Sequence, residues 1–160
     1  MILVADASAL IALSACDSLH LLDVLFGNVI VPEAVYVEVV VTDKPQSLRL
    51  QSYLQGKVRP VNMDRFVYLD VFADAGETQA MLLYKEVAAD YLLIDDRRGR
   101  KVAHINQIKT IGSMGVLLQA KRLGLISQVE PLLAKIAASP VFIGAGLIQT
   151  VLELAGERKK

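Results

Sequence analysis

Short, uninterrupted apolar runs constrain the fold of this 160-residue chain more than any other feature of its sequence. Residues 2–5, 29–31 and 91–94 are wholly apolar, without the polar alternation of a strand that has one solvated face. They predict strands buried on both faces, and weaker strand patterns lie at 57–61 and near Lys109 and Thr110. Helical patterns fill the intervals, at residues 9–15, 18–26, 45–54, 75–88, 97–106, 114–122, 128–138 and 144–155. This alternation predicts an α/β fold, a three-layer α/β/α sandwich around a mainly parallel sheet.

One segment carries two opposed signals. Residues 35–41 are rich in valine, which favours a strand. Pro32, immediately upstream, suits the first turn of a helix instead. We predict a helix here, chiefly because of a family resemblance described below.

Composition limits the classes of protein that the chain can belong to. Hydrophobic residues make up 54% of the sequence and no linker or repeat divides it, so we expect a single domain over residues 1–160 rather than a disordered chain. The longest uncharged stretch, 136–152, contains Pro140 and two glycines and is a poor membrane span. No Lys or Arg precedes Lys44, which argues against a signal peptide, and a lone cysteine, Cys16, fits a reducing compartment. The sequence therefore predicts a cytoplasmic protein with no membrane partner.

Acidic residues stand where two of the predicted strands end. Asp6 follows the first apolar run, and Asp95 follows the run at 91–94. Ligand sites of open parallel sheets form at the carboxyl ends of the strands, so these acids predict a site of hard oxygen ligands suited to Mg²⁺ or Mn²⁺. Glu38, the only charge in residues 34–41, and Glu77, at a helix start, are further candidates.

Each of these acids also has a purely structural explanation. Asp6 and Asp95 could cap the helices that follow them, and Glu77 could simply complete a capping box opened by Asp74. Glu38 could point to solvent, and Asp96 is better suited to a supporting role than to direct ligation. The residue pattern alone leaves both interpretations open.

Other catalytic signatures are weak. His20 and His104 have no partner at zinc-ligand spacing, and Cys16 lies in an apolar helix. Neither a phosphate-binding Gly-Lys loop nor a serine nucleophile motif occurs in the sequence.

Five segments, taken in order, resemble the PIN domain family, specifically the subfamily of prokaryotic toxin-like nucleases. They are Val-Ala-Asp-Ala-Ser-Ala-Leu-Ile (4–11), Val-Pro-Glu-Ala-Val-Tyr-Val-Glu-Val (31–39), Ala-Gly-Glu-Thr-Gln-Ala (75–80), Leu-Leu-Ile-Asp-Asp-Arg-Arg-Gly-Arg (92–100) and Ile-Gly-Ser-Met-Gly-Val-Leu-Leu (111–118), with Lys-Arg-Leu-Gly-Leu-Ile (121–126) closing the last. Each motif alone is weak, but five in one order are fairly specific.

The resemblance implies hydrolysis of RNA phosphodiester bonds with Mg²⁺ or Mn²⁺. The family's catalytic acids fall on Asp6, Glu38, Glu77 and Asp95, with the metal held by Asp6, Glu77, Asp95 and Asp96. Ser8 and Ser113 match supporting hydroxyl positions. Glu77 departs from the family pattern, because many PIN domains carry Asp there.

Basic residues are segregated from the acids. Residues 97–129 contain seven bases and no acid, whereas residues 1–43 contain six acids and no base. This can be an ordinary solvated helix face, but Arg97, Arg98 and Lys101 begin directly after Asp95–Asp96 and are placed to hold RNA phosphates. If five acids line a metal site, the remaining surface carries a surplus of about five positive charges despite a net charge of zero.

The resemblance also implies partners: a second copy of the chain and a small antitoxin protein. The helices at about 128–155 either contribute to such an interface or belong to the core. Two other functions stay open. The chain could be an inactive PIN-like module that binds RNA or supports assembly, or a phospho-receiver domain, for which Lys109 is poorly placed.

Overall fold

A parallel sheet lies at the centre of the fold. The computed structural model describes residues 1–41, 43–64 and 74–158, and these contain five strands in the order β3-β2-β1-β4-β5, all parallel. The strands are β1 (Ile2–Ala5), β2 (Asn28–Pro32), β3 (Val58–Arg59), β4 (Tyr91–Leu93) and β5 (Thr110–Ile111). The predicted apolar runs thus form the three central strands.

Helices cover both faces of this sheet. Within the described residues they are α1 (Ala7–Ala15), α2 (His20–Phe26), α3 (Glu33–Val39), α4 (Ser47–Tyr53), α5 (Ala75–Val87), α6 (Arg97–Ile105), α7 (Ser113–Arg122), α8 (Glu130–Ala137) and α9 (Ala145–Leu154). Their arrangement confirms the predicted α/β/α sandwich.

Alternate strand residues divide the core in two. Leu3, Val29 and Leu93 pack in a cluster with the helices α1 to α4 and α7 to α9. Val4 and Leu92 point to the other face and pack with α5 and α6. Because both faces are covered, residues 2–5, 29–31 and 92–94 of the central part of the sheet carry no polar side chains, and this explains their continuous apolar sequence.

The valine-rich segment after Pro32 is a helix, as predicted. Val35 and Val39 lie one turn apart and are fully buried, whereas Val37 is exposed. Burial of one helical face outweighs the strand preference of these β-branched residues. Pro32 itself is the extended N-cap residue rather than part of the first turn.

Several predicted helix starts differ from the structure by one or two residues, and three of them involve a polar residue near the start. Helix α1 begins at Ala7 with Asp6 as its N-cap residue, so Ser8 lies inside the helix. Asp17 has a positive φ of 54° and turns the chain, and α2 begins only at His20. Helix α7 begins at Ser113 itself, after Gly112. Polar residues of this kind occur both in turns and at helix caps. The sequence therefore shows that a helix begins nearby more reliably than it shows the exact residue at which the helix begins.

Across the described ranges, no single helix has the length and apolar character needed to cross a membrane. Helices α1 and α2 meet that requirement only as a pair, and the pair is bent by 117°.

Glu157 ties the end of the described chain to the start of α8. Its Oε1 accepts hydrogen bonds from Val129 N at 2.5 Å and Lys121 Nζ at 2.9 Å, and its Oε2 accepts one from Glu130 N at 2.9 Å. Burial raises the pKa of this carboxyl, but the three donors outweigh burial and hold the pKa below its usual range.

We expect Glu157→Ala to lower the free energy of unfolding by about 1–3 kcal/mol, because two backbone N–H groups at the α8 start lose their acceptor. Glu157→Gln, which keeps an acceptor oxygen, should lose less. Chemical denaturation measures both, and Glu153→Ala on α9 is the control. Equal stability of Glu157→Ala and the natural chain would contradict this role.

Candidate functional site

The register of the sheet places Asp6 at the centre of its carboxyl edge. Ala5 pairs with Leu93, and the Asp6 N–H donates to the Leu93 carbonyl oxygen at 2.8 Å, which continues the β1–β4 ladder by one residue. The Asp6 side chain is only 4% exposed. A carboxylate held this firmly out of water requires a cation, a proton or several hydrogen-bond donors.

Glu38 reaches the same edge from α3. The side chain of Gln79 on α5 accepts a hydrogen bond from Ala34 N at 3.1 Å and so joins the two helices. The Glu38 carboxylate then lies over Gly76 on α5, where an added Cβ would be 2.9 Å from Glu38 Oε2 and 3.4 Å from Asp74 Oδ1. Gly76 therefore leaves the space that these two carboxylates occupy.

Glu77 forms a complete capping box with Asp74 at the start of α5. Asp74 Oδ1 accepts from Glu77 N at 2.7 Å, and Glu77 Oε2 accepts from Asp74 N at 3.3 Å. The other oxygen, Oε1, lies beside Gly99 on α6, 3.1 Å from where a Cβ would be. The capping explanation for Glu77 is thus correct, yet the carboxylate is also buried among other acids.

Burial and mutual repulsion raise the pKa values of the acids along this edge. Burial, followed by the charges of Glu77, Asp74 and Glu38, raises the pKa of Asp6 to about 7, although a backbone hydrogen bond from Ala7 lowers it in part. Burial likewise raises the pKa of Glu77 to about 7, with contributions from Asp74, Asp96 and Glu38. The pKa of Glu38 is raised by burial and then by Asp74. We call these five residues the acidic edge: Asp6, Glu38, Asp74, Glu77 and Asp96.

Asp95 has a different set of contacts. Its Oδ1 accepts from Ser113 N and its Oδ2 from Ser113 Oγ, both at 2.6 Å. Ser113 is the first residue of α7, so the carboxylate also lies at the positive end of that helix. The neighbouring Asp96 caps α6, accepting from Gly99 N at 2.7 Å. The structure thus places Ser113 as the orienting partner of Asp95, the type of role the resemblance implies for this hydroxyl.

Within residues 1–41, 43–64 and 74–158, no three His, Cys, Asp or Glu side chains are arranged to hold a metal ion. The contacts explain this arrangement. Glu77 is engaged in the capping box, Asp95 with Ser113, and Asp96 with Gly99. The predicted ligand set therefore lies along one edge of the sheet without converging on one point.

The chemistry of the acidic edge nevertheless fits a hard divalent cation. Its ligand atoms are carboxylate oxygens, which Mg²⁺ and Mn²⁺ prefer, and burial together with repulsion between the acids raises the pKa values of Asp6 and Glu77. In addition, Ser8 Oγ, two residues after Asp6, is buried and lacks a hydrogen-bond partner among the described residues. A hydroxyl of this kind can bond to a metal-bound water or to a ligating carboxylate.

The predicted basic residues lie beside Asp95 on α6. Arg97 and Lys101 line an open cavity of about 820 Å³ together with Asp95 and Arg100, which we call the α6 groove. Arg98 is exposed on the same helix. The cations therefore adjoin the acidic edge, as a site for a phosphodiester backbone requires.

Two residues of this region were not predicted as site residues. Asp74 was interpreted only as a helix cap, although its position three residues before Glu77 already places two carboxylates in one helical turn. Arg100 was counted among the bases without a role, yet the structure places it in the α6 groove.

The protein is a three-layer α/β sandwich, and carboxylates with neighbouring cations lie at the carboxyl edge of its parallel sheet. It therefore belongs to the class of α/β proteins whose candidate ligand site is at that edge. A family model described as a PIN domain matches residues 2–157, and the chain belongs to that family. The predicted resemblance is confirmed at this level. PIN domains are generally nucleases and usually bind a divalent metal. Comparisons with curated proteins and with solved structures found no match.

Proposed function

We propose that the protein is a ribonuclease that requires Mg²⁺ or Mn²⁺ and hydrolyses RNA phosphodiester bonds. The observation that carries this proposal is the acidic edge, where the pKa values of Asp6 and Glu77 are both raised to about 7. Structural capping accounts for one buried carboxylate but not for two, Asp6 and Glu77, that repel each other. Membership in the PIN-domain family supports a nuclease over a phospho-receiver domain.

In the proposed reaction, different residues of the chain bind the metal ion, position the attacking water and hold the RNA phosphates. Asp6 and Glu77 would hold the cation, with Asp95 and Asp96 as further ligands. A divalent ion there supplies charge stabilisation for the phosphate and lowers the pKa of bound water. Glu38, exposed at the mouth of the edge, orients the attacking water and takes its proton at Oε2. Arg97, Arg98 and Lys101 hold flanking phosphates on α6.

We further propose the biological setting implied by the toxin-like subfamily. In this setting the protein is the toxin of a toxin–antitoxin pair, acts in the cytoplasm, forms a homodimer and is inhibited by a small antitoxin. Helices α8 and α9 supply candidate interface surface, and Leu154 at the end of α9 is exposed there.

The direct test is cleavage of single-stranded and structured RNA by the purified chain with Mg²⁺, with Mn²⁺ and with excess chelator. We expect cleavage only with a divalent ion, and its loss in Glu77→Gln. Glu86→Gln, at the other end of α5, is the matched control. Cleavage that persists in chelator, or that Glu77→Gln leaves unchanged, contradicts the proposal.

An inactive RNA-binding module is the second candidate. One observation favours it: three acids do not converge on a metal position anywhere in the described part of the chain. RNA binding without cleavage under every divalent ion tested would support this function instead.

Gly76→Ala tests the role of Glu38 without removing a carboxylate. An alanine Cβ would meet Glu38 Oε2 at 2.9 Å and displace that flexible side chain. Because alanine favours helix over glycine by about 1 kcal/mol, we expect unchanged or slightly higher stability. Cleavage should fall by about ten-fold or more, since small misplacements of reacting groups are costly. Equal cleavage by this variant would remove Glu38 from the reaction.

A further inference from the structure

A second cavity lies beside the candidate site and was not part of the sequence interpretation. It has a volume of about 390 Å³ and is bounded by α1, by the β5–α7 connection and by the segment that joins α8 to α9. It shares Asp95, Arg100 and Thr110 with the α6 groove, so the two cavities adjoin each other. We call it the α7 cavity. Its size falls in the range of small-ligand sites, about 300–1,000 Å³.

The walls of the α7 cavity differ in chemistry. On one side lie Asp95, Ser113 and Arg100, and an added Cβ at Gly112 would be 2.9 Å from Asp95 Oδ1 and 3.6 Å from Arg100 Nη1. Val141, Phe142 and Leu147 form an apolar wall. A ligand that fits such a cavity has a flat apolar part and a polar, anionic part.

Phe142 is the most exposed large hydrophobic residue among those described, at 92%. It lies between α8 and α9 at the rim of the α7 cavity, where its ring is not packed in the hydrophobic core. Exposed aromatic rings beside a positively charged groove are the usual platforms on which bases of single-stranded nucleic acid stack.

We propose that the α7 cavity is a nucleotide subsite of the substrate strand: Phe142 stacks on one base and Arg100 holds the adjoining phosphate. The wall that the two cavities share carries this assignment, because Arg100 lines both and a strand held by Arg97 and Lys101 in the α6 groove would reach the α7 cavity at that residue. The two bonds from Ser113 fix the Asp95 carboxylate on the polar side of the cavity. The inference deepens the proposed function and rests on it.

The test measures binding and cleavage separately. Binding uses short single-stranded RNA carrying one 2-aminopurine, in an Asp6→Asn background that removes the central acid. The fluorescence of 2-aminopurine is quenched when its ring stacks on an aromatic side chain. Phe142→Ala should therefore weaken RNA binding about five-fold or more and abolish the quenching of 2-aminopurine at the one position of the strand that stacks on Phe142. Phe142→Trp should bind as the natural residue does, and Phe142→Leu should behave like Ala because it is apolar but cannot stack. Leu48→Ala, another exposed apolar residue, is the control.

Cleavage by the same variants with Asp6 restored should show a higher KM for Phe142→Ala with little change in kcat. Equal binding and quenching in Phe142→Ala and the natural chain would overturn the subsite while leaving the ribonuclease proposal intact. A change from dimer to monomer in Phe142→Ala, measured by light scattering, with unaltered quenching would also overturn it and assign Phe142 to a protein interface. Quenching without any cleavage would support the subsite and contradict the nuclease proposal.

Discussion

Asp6→Asn should reduce metal-dependent RNA cleavage by about a hundred-fold or more, because metal-ion stabilisation of the transition state is worth several kcal/mol. The same variant should be more stable than the natural chain in metal-free buffer near neutral pH. The asparagine amide of the variant is uncharged, whereas burial and the neighbouring acids make the ionised form of the Asp6 carboxyl group unfavourable. A variant that loses RNA cleavage and gains stability identifies Asp6 as a functional residue with an electrostatic cost, because removing an ordinary helix cap would lower the stability.

Asp43→Asn is the matched control, since it removes one negative charge from an exposed turn. It should change neither cleavage nor the melting temperature in metal-free buffer. If Asp6→Asn destabilises the protein, Asp6 is a structural cap, and the functional interpretation of the acidic edge fails at its central residue.

The second large effect is an unusual pH dependence of stability. In metal-free buffer, the free energy of unfolding should fall as pH rises from about 4 to about 7 and then level off. The folded pKa values of Asp6 and Glu77 lie near 7, above their ordinary values of 3.8 and 4.5. The folded state therefore binds more protons than the unfolded state throughout this window, which gives a negative slope.

The expected loss is of order 4 kcal/mol for one such group, and the two contributions are not additive because the carboxyl groups repel each other. Denaturant titrations at several pH values measure the slope. Mg²⁺ or Mn²⁺ at constant ionic strength should raise the stability at pH 7.5 and flatten the slope. Glu77→Gln should also flatten it, while Glu86→Gln should not. A stability that increases from pH 4 to pH 7 would contradict the assignment.

The central strands of the sheet and the position of Asp6 at its carboxyl edge could be predicted from the sequence, because simple rules of strand burial and parallel pairing determine both. Continuous apolar runs identified β1, β2 and β4, and parallel strands bring the residues that follow them to one edge. The same reasoning predicted Asp6 at the carboxyl edge of the sheet, where the structure places it. The helical state of residues 33–39 could not follow from local preference, since the burial of Val35 and Val39 decides it.

Other features depend on contacts between distant segments. Asp95 follows β4 as expected, but its bonds to Ser113 depend on how α7 begins after β5. Asp74 has the same sequence signature as any N-cap, and only the approach of α3 reveals it as a neighbour of Glu38. The exposure of Phe142 was likewise hidden, because it lies in an apolar stretch that suits a core helix equally well.

The strand order also sets when the protein can become active during its synthesis. Strand β1 leaves the ribosome first, yet it is the middle strand, and its partner β4 begins only at Tyr91. Pairing that spans so much chain forms late and slowly. Asp6 is therefore synthesised long before Asp95 and Asp96, which follow β4, and a nascent chain that stops before β4 has an incomplete acidic edge. The proposed nuclease can form only after β4 and the residues that follow it have been synthesised.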